Sequence, residues 1–160
     1  MALNHILLAL VTTFTVPTAA QDDHRSIGER ADATMGFDQT LTTHHFMLFT
    51  DGGAIDVSVR NPRDAKNRDA IRSHLAHTAV MFGDGQFTAP MQVHDRKDVP
   101  GTRTMAERKA TIRYRYVETP AGGRIDIVTT DPESLPAVHD FLRFQIADHR
   151  TGDSTDVKKR

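Results

Sequence analysis

One pattern of residues occurs twice in the chain, seventy positions apart. Residues 52–62 and 122–132 each contain a Gly-Gly pair, an alternating apolar stretch, and an Asn-Pro or Asp-Pro pair. The glycines favour a turn between antiparallel strands, and apolar residues at helical spacing follow each proline. We therefore expect an α+β domain of two pseudo-symmetric strand–strand–helix (ββα) units. A four-stranded antiparallel sheet with both helices on one face would bury each apolar stripe once.

The alternation within the strands predicts which side chains face the core. At the seventy-residue offset, His44 and Phe46 overlay Tyr114 and Tyr116. Those tyrosines alternate with arginines, which favour water, so the tyrosines are expected to point inward. Successive strand residues point to opposite faces. The sequence therefore predicts that His44 faces the core and that His45 faces solvent.

The ends of the chain differ in composition from its centre. Residues 1–20 carry no Lys, Arg, Asp or Glu and combine a short apolar run with small residues, which predicts a secretory signal peptide. Residues 21–41 are polar and aperiodic and predict a flexible arm. The duplicated domain then spans 42–150, and the charged residues 151–160 predict a disordered tail. We expect an exported protein, periplasmic or secreted, without membrane insertion after signal cleavage.

Composition and motifs exclude several classes of function. A net charge of −1 gives no bulk electrostatic attraction for nucleic acid, and the absence of cysteine excludes disulfides and thiolate metal sites. The chain has no Gly-x-Ser-x-Gly, phosphate-binding glycine loop or His-Glu-x-x-His motif. Asp56 and Asp126 occupy equivalent strand positions and are expected to face solvent rather than to act as a catalytic pair. The sequence thus favours a protein without catalytic residues.

The first predicted helix, from about Asn61 to Phe82, carries the sharpest chemical signal. A step of 100° per residue from Ile71, at the centre of its apolar stripe, places His74, His77 and Met81 along one flank. Residues three and four apart on a helix are neighbours, so His-x-x-His can hold one cation. A methionine sulfur would favour copper.

Further ligands could come from the first strand and from the long segment 86–107. This segment is predicted to be irregular, and long loops in compact domains often form lids or rims of sites. Three or four ligands would complete a copper or zinc site. A haem is disfavoured because the chain has no Cys-x-x-Cys-His attachment. The candidate metal ligands are His44, His74, His77, Met81, Met91 and His94.

The two units differ along this helical flank. His74 and His77 of the first helix correspond to Phe141 and Phe144 of the second. Imidazoles in one unit and phenyl rings in the other would give a symmetric scaffold an asymmetric pocket. His149 ends the second helix, where a protonated imidazole stabilises the helix dipole, so a capping role is expected for it.

Several short motifs are similar to a family of small bacterial proteins, many of them exported and without an established activity. The shared motifs are Thr-His-His-Phe (43–46), Ala-Pro-Met (89–91) and His-Asp-Phe-Leu-Arg-Phe-Gln-Ile (139–146), and the resemblance covers roughly residues 35–153. Some members are labelled aspartate carbamoyltransferase. Residues 102–105, Thr-Arg-Thr-Met, are similar to part of that enzyme's phosphate loop but lack its second arginine. The resemblance therefore implies domain limits and no mechanism.

The patterns favour an exported, non-enzymatic domain that binds copper or zinc through a histidine cluster. One alternative is an interaction or structural module of the cell envelope, in which the histidines pack at a helix boundary and bind no metal. Another is a small hydrolase or transferase that uses residues 86–107 as a lid. The metal ion is the expected ligand, and the sequence does not identify a protein partner.

Overall fold

The computed structural model describes residues 34–160 of the chain. The predicted signal peptide and the part of the predicted arm before residue 34 lie outside the described residues. Among residues 34–160, no helix has the length and apolar character needed to cross a bilayer.

The described chain is an α+β structure of two β-hairpin–helix units, as the repeat predicts. The strands are β1 Thr42–Phe49, β2 Gly52–Val59, β3 Ile112–Thr119, β4 Gly122–Thr129 and β5 Val157–Lys158, in the sheet order β3-β4-β2-β1-β5. The helices are α1 Ala65–Gly83, α2 Thr88–Val93, α3 Thr102–Glu107 and α4 Ser134–His149. Every pairing is antiparallel except that of β5 with β1.

Each long helix crosses over to the hairpin of the other unit. Helix α1 follows β2 in the chain yet packs mainly on β3 and β4, and α4 follows β4 yet packs mainly on β1 and β2. At the junction β2 pairs with β4, and Ile55 lies opposite Ile125. Because each unit supplies the helix that covers the other, the two units share one core.

The apolar faces of strands and helices meet in that core. Helix α1 starts at Asp64, whose carboxylate accepts a hydrogen bond from the Asn67 N–H at 3.1 Å. The predicted stripe is buried: Ile71, Leu75, Thr78, Ala79 and Phe82. In β1 the prediction for the two histidines is confirmed, because His44 lines an internal cavity and His45 is exposed.

The final ten residues are ordered, and the prediction of a disordered tail was wrong. β5 pairs in parallel with β1, and the Arg160 guanidinium donates to Asp51 at 3.0 Å and to Asp126 at 3.2 Å. The same guanidinium lies 4.6 Å from the centre of the Phe49 ring. A charged composition indicates disorder only when its charges lack partners, and here the hairpin supplies them.

Asp126 is a second correction, because the sequence placed it in solvent. It is 4% exposed on the sheet face opposite the helices and accepts hydrogen bonds from Arg115 and Arg124, each at 2.8 Å. Burial alone would raise the pKa of this carboxyl group, but the arginines outweigh burial and hold the pKa below its usual value. The carboxylate thus has a structural role in binding the tail and the strands together.

The sequence predicts that the segment 86–107 is irregular, and this prediction was wrong. The segment contains the helices α2 and α3. Pro90 and the Pro100-Gly101 pair are typical of irregular structure in a sequence. Proline is nevertheless tolerated in the first turn of a helix, where Pro90 lies in α2. Val99 and Met105 are fully buried. At Gly101 the backbone has φ +80° and approaches α4 so closely that a Cβ atom would lie 2.0 Å from the Ala137 carbonyl oxygen. The segment is therefore docked on α4.

Replacing Gly101 tests this docking. Gly101→Ala should lower the free energy of unfolding by about 2–4 kcal/mol, because a left-handed alanine is strained and its methyl group meets backbone. Gly83→Ala is the matched control at the end of α1, where a Cβ atom meets nothing within 4 Å, and it should be neutral or stabilising by up to about 1 kcal/mol. Urea unfolding followed by circular dichroism measures both. Equal stabilities of the two variants would show that the segment is not docked in this way.

Candidate functional site

A pocket of about 70 Å³, here called the inner cavity, lies between the sheet and the helices and is partly open to solvent. Its wall is mainly apolar and includes Phe46, Ile55, Val57, Leu75, Phe82 and Phe141. The segment 86–107 closes one side through Ala89, Pro90 and Val93. A volume of this size accommodates several water molecules or one small organic group, since one water needs about 10–15 Å³.

Four histidines from separate parts of the chain line this cavity. His44 comes from β1, His74 from α1, His94 from the residue after α2, and His149 from the end of α4. The rings of His44 and His149 are nearly parallel with centroids 5.8 Å apart, and those of His94 and His149 are 5.0 Å apart. Phe37 contacts both His44 and His74, at centroid distances of 6.0 and 5.8 Å. The fold thus collects imidazoles into an otherwise apolar space.

The predicted ligand set is only partly brought together. His44, His74 and His94 share the cavity wall, whereas His77 is exposed on α1 and lies outside the lining. Met81 and Met91 are half-buried and also lie outside it. His149, for which the sequence suggested only a capping role, is the fourth imidazole. Its place at the end of the inward stripe of α4 was the signal that could have identified it.

His94 is held by hydrogen bonds at both ring nitrogens. Its Nδ1 lies 2.6 Å from the Asp148 carboxylate and its Nε2 lies 3.0 Å from the side-chain amide of Gln145. The His94 side chain is 1% exposed, so this network is fixed inside the protein. Within residues 34–160, no group of three or more His, Asp or Glu side chains is arranged to hold a metal ion.

Two polar atoms on the cavity wall are buried without a partner. Across the described part of the chain, neither Nε2 of His44 nor Nε2 of Gln145 has a hydrogen bond. A buried polar atom left unsatisfied costs about 1–3 kcal/mol, and native proteins contain few of them. Both residues line the cavity. The residues that line the cavity therefore have hydrogen-bonding capacity that the protein itself leaves unused.

Burial keeps two of the imidazoles neutral. It lowers the pKa of His44 to about 3, with a further contribution from the nearby His149, and lowers the pKa of His74 to about 4. The Nε2 of His74 also lies 3.3 Å from the Thr78 hydroxyl. A neutral imidazole offers one N–H donor and one nitrogen lone pair. At neutral pH these rings can bind an uncharged polar group or a metal ion without losing a proton.

Comparison of the chain with protein-family models, with curated proteins and with solved structures gives no match. No site can therefore be transferred from a known protein. Any function assigned to this protein rests on the residues of the cavity and on their chemistry.

The lowered pKa of His44 predicts how stability depends on pH. In the unfolded chain the His44 imidazole binds a proton near pH 6.5, whereas in the folded protein it binds that proton only near pH 3. The free energy of unfolding should therefore fall as pH decreases from 6.5 towards 3, by up to about 1.4 kcal/mol per pH unit for this group. His44→Leu should make the slope between about pH 6 and 4.5 shallower by that amount. Urea unfolding at several pH values checks this, and coincident slopes for the two proteins would contradict it.

Proposed function

We propose that this protein binds a small, mostly apolar molecule with one hydrogen-bonding group in the inner cavity. The carrying observation is the unsatisfied Nε2 of His44 in a wall that is otherwise mainly apolar. Apolar walls with a few well-placed polar atoms are typical of small-molecule sites. The predicted export of the chain would place this binding outside the cytoplasm.

The apolar wall and its polar atoms contribute to ligand binding in different ways. Burial of apolar ligand surface supplies affinity, at about 25 cal/mol per Å² removed from water. A ligand oxygen hydrogen-bonded to His44 Nε2 or to the Gln145 amide would add roughly 0.5–1.5 kcal/mol and fix the orientation. The His94–Asp148 pair holds the Gln145 side chain through its other amide atom. The second polar contact is therefore positioned before the ligand arrives.

The segment 86–107 is the part of the wall that would move most readily to admit a larger ligand. Ala89 and Pro90 line the cavity and are themselves half-buried, so α2 forms a thin outer wall. This helix has six residues and no side-chain cap at its first turn. Short, uncapped helices gain little stability from their own backbone. Displacement of α2 would widen the cavity while β1, β2 and α4 stay in place.

Filling the cavity tests the proposal. In calorimetric titrations with 1-hexanol, benzyl alcohol and hexanamide, the wild type should bind at least one probe, and Ala89→Trp should bind it at least tenfold more weakly. The matched control is Ala110→Trp, at an exposed residue away from the cavity, which should bind like the wild type. Saturation at ten times Kd should stabilise the wild type by about 1.4 kcal/mol.

Two outcomes of these titrations would refute small-molecule binding in the cavity. The first is that none of the three probes binds to the wild type. The second is that Ala89→Trp, folded as shown by its circular dichroism spectrum, binds as tightly as Ala110→Trp.

A transition metal is the second candidate, and the neutral state of His44 and His74 favours it. Unprotonated imidazoles bind copper and zinc, both rings line the same cavity, and both contact Phe37. With two protein ligands, water molecules would have to complete the coordination. Binding of Zn²⁺ or Cu²⁺ that is lost in His44→Ala and kept in His77→Ala would assign the cavity to a metal. Equal binding by both variants would exclude this site.

A further inference from the structure

A second, polar cleft adjoins the inner cavity. It has a volume of about 410 Å³ and shares two residues, His44 and His149, with the wall of the cavity. The remaining lining is Gln39, Thr42, Thr43, His45, Arg60, Arg150 and Thr151. His44 and His149 therefore lie at the boundary between the cleft and the apolar space, and a ligand that passes between them would occupy both.

The charge of the polar cleft is positive. Arg60 and Arg150 line it and no Asp or Glu does. Among the described residues neither guanidinium is in an ion pair, whereas many other arginines of the protein are. The Asp153 carboxylate contacts two lining residues, the His45 ring at 2.9 Å and the Thr151 hydroxyl at 2.7 Å, and also accepts the Phe46 N–H at 2.9 Å. The cleft therefore has two guanidinium groups against one carboxylate, which already accepts hydrogen bonds from the protein, and keeps a net positive charge for an external anion.

The backbone fixes both arginines at the rim. The Arg60 N–H donates to the Leu41 carbonyl oxygen at 2.9 Å. Arg150 ends α4 with φ 50° and ψ 42°, and its N–H donates to the Ile146 carbonyl oxygen. Helices that end in this left-handed conformation usually have glycine there, because a side chain is strained. Arg150 therefore holds a strained backbone conformation at the rim of the cleft, as residues of binding sites often do.

We infer that the ligand of the inner cavity is a small monocarboxylate, an inference that rests on the proposed function. Its apolar part lies in the cavity and its carboxylate lies in the polar cleft beside Arg60 and Arg150. Guanidinium groups bind carboxylates through paired, charge-assisted hydrogen bonds. His44 lines both spaces, so its N–H can donate to the carboxylate at the boundary. A free inorganic anion would use the arginines but not the apolar cavity.

The test compares hexanoate, 1-hexanol and inorganic phosphate by calorimetric titration. Hexanoate should bind the wild type at least tenfold more tightly than 1-hexanol or phosphate does. The double variant Arg60→Gln/Arg150→Gln should lose at least tenfold of the hexanoate affinity and keep the affinity for 1-hexanol. Raising NaCl from about 20 to about 200 mM should weaken only hexanoate binding, because salt screens the arginines.

Two further variants control for changes in the fold and in net charge. Arg113→Gln removes an exposed arginine on β3, outside the cleft, and should bind hexanoate like the wild type. Arg150→Gly removes the guanidinium and also relieves the left-handed backbone, so it should fold at least as well as the wild type and still bind hexanoate more weakly.

The possible failures separate the two proposals. Equal wild-type affinity for hexanoate and 1-hexanol would overturn the monocarboxylate inference and leave small-molecule binding standing. Unchanged hexanoate affinity in the double variant and in Arg150→Gly would do the same. Phosphate binding as tight as hexanoate binding would make the cleft a simple anion site, which also overturns the inference. If no probe reaches the cavity, the proposed function fails and the inference fails with it.

Discussion

The exchange of helices between the two hairpins is the constraint on which the rest of the protein depends. Helix α1 covers β3 and β4, and α4 covers β1 and β2. Each unit therefore buries its apolar strand face mainly with the helix of the other, and both units contribute to one core. The direct pairing of β2 with β4 makes the sheet continuous. The inner cavity lies beneath this exchange, between the two crossing helices and the central strands.

The differences between the two units determine which side chains line that cavity. His74 in α1 and Phe141 in α4 occupy equivalent positions and both line the cavity. The next equivalent pair diverges, because His77 is exposed while Phe144 packs against the His94 ring at 4.9 Å. His94 comes from the connection between the units, which has no counterpart in the repeat. The equivalent strands and helices of the two units thus form the walls of the cavity. The residues that differ between the units supply its polar groups.

The sequence predicts the parts of this structure that depend on local periodicity. Strand alternation separates His44 from His45, and helical spacing identifies the buried face of α1, because both patterns follow from backbone geometry. The hydrogen bonds of His94 join residues more than fifty positions apart, and no local pattern encodes them. The ordered tail was missed for the same reason, since Arg160 finds Asp51 and Asp126 only in the folded protein. The helices α2 and α3 were not predicted because proline and glycine in the segment 86–107 indicate irregular structure.

The state of His44 Nε2 in the presence of a bound molecule tests the central claim most directly. Long-range ¹⁵N–¹H spectra report the side-chain nitrogens of each histidine separately, and 1-hexanol can be added to the protein stepwise. The account predicts that the Nε2 signal of His44 shifts and saturates while the signals of the exposed His77 stay in place. A His44 signal that responds to none of 1-hexanol, benzyl alcohol and hexanamide, or that shifts only in parallel with the His77 signal, would contradict it.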